Sequence, residues 1–353
     1  MGLLSWLKGK PAPEPSAPEP EPLEDLEVLG MALQSSDGAA RVDAARALLE
    51  RWRHGDAHAA TALAGQVEAL LDDPEPQARV AGLNAVRLMR KPENLEKHTS
   101  AVLARLADKA SPVRTAAVWT AVKLPGEVAR AQVRAVLQAN DEPLRFDAAT
   151  ALAQNGDAAG LPQLVAALRD SYRRQEALSA IMSLGDAAAL PHLVEMWGAD
   201  DDEGEAIGDF DRTMLAAALA RLGDGRGAQH LSERVAVECD DRPVAVEWVG
   251  RLGIQDAVPA LEALAEQEGD AARGAALRAL GRLRAPGAEE RLLAMARDAE
   301  AADDLRMDAA EGLAEIGSEP ALAALRDLGG GEGELAELAR ELLAEVAAAR
   351  APS

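Results

Sequence analysis

The sequence is poor in aromatic residues, which make up only 2% of its 353 residues. Hydrophobic residues nevertheless reach 48%, so the core must be built mainly from alanine, leucine and valine. Such small and aliphatic side chains favour helices that pack closely, whereas the cores of sheets usually draw on aromatic and β-branched residues. The scarcity of aromatic residues therefore predicts an all-α fold.

The sequence also lacks cysteine, apart from Cys239. A single thiol excludes a disulfide within the chain and a cluster of thiolate metal ligands, and it fits a reducing compartment. No hydrophobic run approaches the roughly 18 residues that a membrane span needs. The first residues carry no basic segment, and their hydrophobic core is too short for a secretory signal. We therefore interpret the protein as cytoplasmic.

Positive charge is scarce as well, with 37 basic residues against 60 acidic ones and a formal net charge of -23. Binding to nucleic acid depends on lysine and arginine side chains that displace counterions from the phosphates. A chain of this charge would repel a duplex, although a short basic stripe could still bind a small anion. We expect no nucleic acid partner.

The order of segments is simple. Residues 1–10 form a short amphipathic peptide, and residues 11–23, PAPEPSAPEPEPL, form a Pro/Glu/Ala-rich linker that is typical of extended, semi-rigid chain. From residue 24 to residue 350 the pattern is helical and repetitive. Nine arginines define the repeat, 29 to 38 residues apart, and we call them the arginine column: Arg41, Arg79, Arg114, Arg145, Arg174, Arg212, Arg242, Arg273 and Arg306.

Around each arginine the neighbouring positions recur as they should on a helix. The third residue after it is mostly alanine, and the seventh is hydrophobic in every copy, from Leu48 to Leu313. These spacings place both positions on one helical face. An aspartate lies just upstream, where it is expected to cap the helix: Asp37, Asp73, Asp108, Asp141, Asp170, Asp209, Asp240, Asp270 and Asp303. The recurrence of the arginine column favours a structural role, in which each arginine pairs with a carboxylate of its own or the neighbouring repeat.

A second, shorter hydrophobic segment follows each of these helices after a turn that contains glycine. Each repeat is therefore a helix pair, and a period near thirty residues predicts a right-handed α-solenoid of about ten such pairs. The last repeat, 331–350, has Ala336 in place of the arginine and is predicted to cap the array. An acidic insertion, 199–211, is interpreted as a solvated loop because its spacing does not match a calcium-binding loop.

These repeats resemble HEAT-like repeats, in particular the short bacterial type named after phycobilisome lyases. The resemblance is clearest in RRQEALSAIMSLGDAAALPHLV (173–194) and DRTMLAAALARLGDGRGAQHL (211–231), and it covers about 24–350. It implies an α-solenoid whose second helices line a concave surface. Among similar proteins are scaffolds, chromophore lyases, a DNA glycosylase group and metal hydroxylases, and the His-Glu dipeptides of the hydroxylases are absent from this sequence.

Two features of the repeats suggest a binding site. The fifth residue after each aligned arginine is mostly polar, so Trp119 at that position is a candidate exposed anchor for a partner. The ninth residue is arginine in three consecutive repeats, Arg221, Arg251 and Arg282, with Arg278 one turn earlier. Aligned on stacked helices, these four arginines would form a basic stripe for an anion or an acidic peptide, although arginine near a helix C-terminus is also favoured by the dipole.

Residues 1–10 offer a second candidate contact, because Leu3, Leu4, Trp6 and Leu7 share one helical face and could dock on a partner or a membrane. His54 and His58 have a spacing that suits zinc only on a continuous helix, and Gly55 interrupts it. We predict no metal, cofactor or catalytic residues. The expected function is a non-enzymatic scaffold or adaptor that binds a protein or peptide along the concave face. Two alternatives stay open: a chromophore-lyase-like enzyme or enzyme subunit, and a peripheral membrane adaptor recruited through residues 1–10.

Overall fold

The computed structural model describes residues 23–198 and 207–350. Within these ranges every regular element is a helix, which confirms the prediction of an all-α solenoid. The chain divides into two compact units, residues 1–189 and 190–353. The predicted insertion, 199–211, lies mostly outside the described residues, and its last residues are helical because a helix begins at Asp209.

The first unit contains helices α1 to α12, with these bounds: α1 (Leu23–Ala32), α2 (Gly38–Arg53), α3 (Ala57–Ala64), α4 (Val67–Leu71), α5 (Pro76–Leu88), α6 (Pro92–Lys97), α7 (Thr99–Ala104), α8 (Ser111–Ala121), α9 (Glu127–Val136), α10 (Glu142–Gln154), α11 (Leu161–Ala167) and α12 (Arg174–Leu184). The second unit contains α13 (Leu190–Gly198), α14 (Asp209–Arg221), α15 (Gly225–Ala236), α16 (Arg242–Leu252), α17 (Val258–Ala265), α18 (Arg273–Arg282), α19 (Ala288–Arg297), α20 (Asp303–Ile316), α21 (Glu319–Gly329) and α22 (Glu334–Arg350). Single turns of 3-10 helix precede several of the shorter helices, as at Ala158–Gly160 and Gln255–Ala257.

The helices that carry the arginine column are the first helices of the repeats: α2, α5, α8, α10 and α12 in one unit, and α14, α16, α18 and α20 in the other. Their hydrophobic face is the core. Every residue seven positions after an aligned arginine is buried, from Leu48 and Val86 to Leu280 and Leu313. The period seen in the sequence is therefore the period of the packing.

Several members of the arginine column join successive repeats, as predicted, whereas Arg306 pairs within its own repeat with Asp303 at 3.0 Å. Arg41 contacts Asp73 of the next repeat at 2.6 Å, Arg79 contacts Asp108 at 2.8 Å, and Arg242 contacts Asp270 at 2.6 Å. Most of these arginines also donate to a main-chain carbonyl of the preceding loop, for example Arg79 to the carbonyl oxygen of Asp73 at 2.7 Å. One guanidinium thus links the loop before its own helix to the start of the next repeat.

The prediction that each upstream aspartate caps its helix is only partly right. Asp37 and Asp141 do so, each accepting a hydrogen bond from a main-chain N–H in the first turn. Four others accept from the N–H two residues further on, in a turn before the helix: Asp73, Asp108, Asp170 and Asp270. Asp209 and Asp303 lie inside the first turn, and Asp240 precedes the N-cap residue Asp241. Proline decides several of these cases, since a helix such as α5 begins at Pro76 rather than next to Asp73.

In each unit the first helices pack directly on one another along the stack, and in most repeats successive second helices touch less; α15 and α17 are an exception, since they touch about as closely as α14 and α16 do. Two first helices, α18 and α20, approach each other closely, since a Cβ on Gly281 would lie 2.5 Å from the carbonyl oxygen of Gly312. The first helices therefore form the more closely packed layer in most of the repeats. That the second helices line the concave surface, as the resemblance implies, stays a prediction.

The second unit ends with α22, which packs on α20 and α21. It buries Ala336 and Ala339, and its outward residues Glu337 and Glu341 are exposed. One-sided burial of this kind is typical of a capping helix, and the capping role of residues 331–350 stays a prediction.

Candidate functional site

A groove of about 570 Å³ opens between α18, α20 and α22 of the second unit. One side carries Arg278 and Arg282 of α18, followed by Arg284 in the next turn. α22 contributes the half-buried hydrophobic residues Leu338, Leu342 and Val346, together with Ala349 and the charged Glu345 and Arg350. We call this the α18–α22 groove. Two of the four arginines of the predicted basic stripe therefore lie in a concave site with hydrophobic residues.

Both of these arginines are held by carboxylates of neighbouring helices. Arg278 forms an ion pair with Asp308, and its Nε lies 3.5 Å from Glu311 Oε2. The Arg282 guanidinium spans two helices, with Nη1 at 2.6 Å from Glu247 Oε1 and Nε at 3.0 Å from Glu315 Oε1. Burial alone would lower the pKa of Arg282, but the charge of Glu247 and the hydrogen bonds to Glu315 and Glu247 raise it above its ordinary value. Arg282 is therefore charged and fixed in position.

Arg251 does not extend this groove. Its Nε lies 2.6 Å from Glu247 Oε1, so one carboxylate with 3% exposure serves two guanidiniums. The Arg251 guanidinium also lies 5.8 Å from the ring centroid of Trp248, which is buried in the core at 8% exposure. Arg251 thus closes a charge cluster between α16 and α18, and much of its charge is compensated there.

Arg221 is exposed at the end of α14 and does not line the groove. The predicted stripe is therefore divided among three environments: Arg278 and Arg282 line the groove, Arg251 pairs behind it, and Arg221 faces solvent. The residues that complete the site, Arg284 and the hydrophobic side of α22, were not singled out by the sequence. A signal for Arg284 exists nevertheless, because it stands where neighbouring repeats have glycine.

Comparison with known families identifies the repeats. The model for HEAT repeats matches residues 132–207 and 240–314, and the model for the PBS lyase HEAT-like repeat matches residues 305–328. The chain is a HEAT-like repeat protein. The matched segments include α18 and α20, and hence most of the charged side of the groove. No curated protein matches the sequence.

Solved structures of several proteins are similar to this HEAT-like protein. Human deoxyhypusine hydroxylase is 23% identical, with 72% of this chain and 96% of that chain covered and a TM-score of 0.30. The complex of CpcE and CpcF of phycocyanin lyase from Nostoc sp. PCC7120 is 19% identical, with 95% and 100% covered and a TM-score of 0.38. Yeast importin-beta is 14% identical, with 91% and 52% covered and a TM-score of 0.45. At these values none of the three indicates a function for this chain.

Trp119 lies in the other unit, on α8, and is half-buried. Its helix packs on α5, where the hydroxyl of the next residue, Thr120, donates to the carbonyl oxygen of Leu83 at 3.2 Å. The expectation that this column of the HEAT-like repeats faces water is wrong in several copies, since Thr150, Ser179 and Glu247 are at most 5% exposed. The reason is that the first helices pack side by side, so this column lies at the seam between them. Trp119 as a partner anchor stays a prediction.

A second groove, of about 490 Å³, lies between α2 and α5 of the first unit. It combines Arg46 and Arg53 with Val80 and Asn84. Arg87 is nearby, and both partial burial and the charge of Arg53 lower the pKa of its guanidinium. Among the described residues, neither Arg46 nor Arg87 forms an ion pair with a carboxylate. Their positions in the repeat had not marked them as candidates.

The N-terminal candidates Leu3, Leu4, Trp6 and Leu7 lie outside the described residues, as does the linker up to residue 22. Within residues 23–198 and 207–350, no group of His, Cys, Asp and Glu side chains could hold a metal ion. His54 follows α2 and His58 lies in α3, while Asp56 between them caps α3 and pairs with Arg51 at 2.8 Å. In the same ranges no helix is long and hydrophobic enough to cross a membrane.

Proposed function

We propose that this HEAT-like protein is a non-enzymatic scaffold that binds a segment of a protein partner on its first-helix layer. The observation that carries the proposal is the α18–α22 groove, which combines hydrophobic residues with fixed arginines. Because the cysteine content fits a reducing compartment, we also propose that it works in the cytoplasm.

The composition of the groove supports a peptide or protein ligand. Interface cores combine hydrophobic contacts with arginine, which is among the residues most enriched at binding hot spots. Leu338, Leu342 and Val346 provide the hydrophobic part and are only half-buried in the free protein. A partner side chain that covers these residues removes their hydrophobic surface from water. Each Å² of surface buried in this way stabilises the complex by about 25 cal/mol.

The ion pairs around the groove support binding in a different way. Glu247, Asp308 and Glu315 hold Arg278 and Arg282 in place before any partner arrives. Side chains that are already ordered lose little conformational freedom on binding. The groove is therefore a preorganised surface, which suits recognition of a segment with one defined geometry.

The test is photo-crosslinking in the native cell with benzoylphenylalanine placed at Leu342, in the full chain. The matched control places the same residue at Gln229, an exposed position on the second helix α15. We expect one stoichiometric protein to be crosslinked from position 342 and not from position 229, with equal thermal stability of the two variants. Absence of a crosslink from position 342, or the same crosslink from both positions, would refute the proposal.

A further inference from the structure

Arg284 has a backbone conformation that arginine rarely adopts. Its φ is 47°, and among the described residues it is the only one other than glycine with a positive φ. It stands eleven residues after the aligned Arg273, and at the equivalent place five other repeats have glycine with φ between 62° and 88°: Gly156, Gly185, Gly223, Gly253 and Gly317. A side chain in this region is strained, whereas glycine is not.

The hydrogen bonds show that Arg284 occupies the same type of turn as two of these glycines, Gly156 and Gly223. The N–H of Arg284 donates to Gly281 O at 3.0 Å, and the N–H of Ala285 donates to Leu280 O at 3.1 Å. At Gly223 the corresponding bonds run to Ala220 O at 3.0 Å and from Asp224 to Leu219 O at 2.9 Å. The Arg284 turn therefore has the hydrogen bonds of the Gly223 turn, and it holds an arginine where a side chain is strained. Strain retained at a single copy of a repeat is a sign of function.

The side chain of Arg284 lines the α18–α22 groove and is free to bind. Four arginines line the groove, Arg278, Arg282, Arg284 and Arg350, against three glutamates, Glu311, Glu315 and Glu345. Arg278 and Arg282 pair with carboxylates, and Arg350 donates to the carbonyl oxygen of Gly317. Arg284 is exposed and forms no ion pair with any residue of the described ranges.

We propose that Arg284 is the anion-binding residue of the groove, and that the groove takes an acidic amphipathic segment of a partner protein. In this segment a carboxylate pairs with Arg284 while aliphatic side chains beside it cover Leu338, Leu342 and Val346. The inference rests on the proposed function and specifies the chemistry of the ligand.

The acidic character of the whole chain does not oppose this pairing. Charges further away than about 8 Å are largely screened at physiological ionic strength. In and around the groove the carboxylates Asp308, Glu311, Glu247 and Glu315 are already paired with Arg278 and Arg282, whereas the exposed Arg284 has no carboxylate partner among the described residues. A guanidinium also binds a carboxylate through two parallel hydrogen bonds, which adds geometric selectivity.

The test uses two fluorescent helical peptides and the full chain. One peptide carries leucine and glutamate on a single helical face, and the second carries glutamine in place of glutamate. We expect the glutamate peptide to bind the wild type up to about fivefold more tightly than the glutamine peptide, as measured by fluorescence anisotropy. Arg284→Gly should abolish this preference and leave the melting temperature unchanged or higher, since glycine relieves the strain. Glu345→Gln should strengthen binding of the glutamate peptide.

The matched control moves the arginine by two repeats. Gly223→Arg places the same side chain in a turn with the same hydrogen bonds, where a Cβ would meet nothing within 4 Å. Because φ is positive there, the variant should lower stability, and it should not affect peptide binding. Equal affinity of wild type and Arg284→Gly for the glutamate peptide, or no binding of either peptide to the wild type, would overturn the inference. Neither result changes the crosslink expected from position 342, which tests the proposed function independently.

Discussion

At the scale of single residues, the arginine column makes stability depend on pH in a defined direction. The hydrogen bond from Arg41 lowers the pKa of Asp73, even though burial acts to raise it. The unfolded pKa is about 3.9, so the stabilisation is present above that value. It is lost as the pH falls through the lower pKa of the folded state.

Asp73→Asn should therefore lower the melting temperature at pH 7, and the gap to the wild type should narrow below about pH 4. Thermal unfolding followed by circular dichroism at a series of pH values measures this gap. Asp72→Asn is the control, because Asp72 is exposed and its ion pair with Arg105, at 3.0 Å, lies at the surface. A gap that stayed constant down to pH 3 would show that the ion pair with Arg41 does not stabilise the fold.

The candidate site could be predicted only in part at this scale. Arg278 and Arg282 were found because they repeat at fixed positions in the sequence. Their partners Asp308 and Glu247 lie in adjacent repeats at other positions, so the pairing depends on the lateral register of packed helices, which one-dimensional spacing does not contain. Arg284 is different, since its replacement of a glycine is visible in the aligned repeats.

At the scale of helices, the contact between α18 and α20 depends on glycine at both surfaces. A Cβ at position 281 would come within 2.6 Å of Gly312 Cα, which is too short for any real contact. Gly281→Ala should therefore force the helices apart and destabilise the fold by about 1–3 kcal/mol, as measured by urea unfolding. Gly30→Ala in α1 is the control, since its Cβ would meet nothing within 4 Å and alanine favours the helix. Similar stability of the two variants would contradict this account of the contact.

Two carboxylates on the neighbouring first helices α10 and α12 should affect stability in the opposite direction to Asp73: at pH 7 their charge lowers the stability of the fold. Burial raises the pKa of Glu176, and the charge of Asp147 raises it further; burial also raises the pKa of Asp147, which accepts a hydrogen bond from Thr115 at 2.7 Å. Carboxylates with raised pKa values destabilise the fold when both are ionised, and the cost disappears as the pH falls below the folded pKa.

Glu176→Gln should consequently raise stability at pH 7 by about 0.5 kcal/mol and have no such effect near pH 4. Unfolding by urea at the two pH values measures the difference. Glu142→Gln is the control, because Glu142 is exposed and pairs with Arg173, so its loss should not stabilise the protein. A destabilised Glu176→Gln variant at pH 7 would mean that this carboxylate makes a favourable contact instead.

Most of the fold was predictable at the helix scale, and the reason is repetition. Buried hydrophobic residues such as Leu48, Leu152 and Leu280 occur at the same position in every repeat. A helical pattern that is weak in one repeat therefore becomes clear when the repeats are aligned. The starts of the helices were less predictable, because Asp73 and Asp108 look like caps but lie in the turn before the helix. The packing distance between first helices depends on small residues such as Gly281 and Gly312. These residues act through contacts between helices, which the pattern within one helix does not reveal.

At the scale of the whole molecule, the formal net charge of -23 is the dominant electrostatic feature. Net charge of this size destabilises a compact state through self-repulsion. Ion pairs of the arginine column oppose it locally, and they are partly buried, as at Arg79 and Asp108 with 12% and 6% exposure. Salt screens interactions between exposed charges much more than it screens partly buried pairs.

Raising sodium chloride from 10 to 300 mM should therefore increase the melting temperature, because it weakens the long-range repulsion and leaves the column largely intact. Sucrose at matched osmolality is a control for effects that are not electrostatic. Arg79→Met should lower the melting temperature at both salt concentrations by a similar amount, since its pairing with Asp108 is short-ranged. A melting temperature that falls with salt would mean that attractive surface pairs, and not net repulsion, dominate the electrostatics of this solenoid.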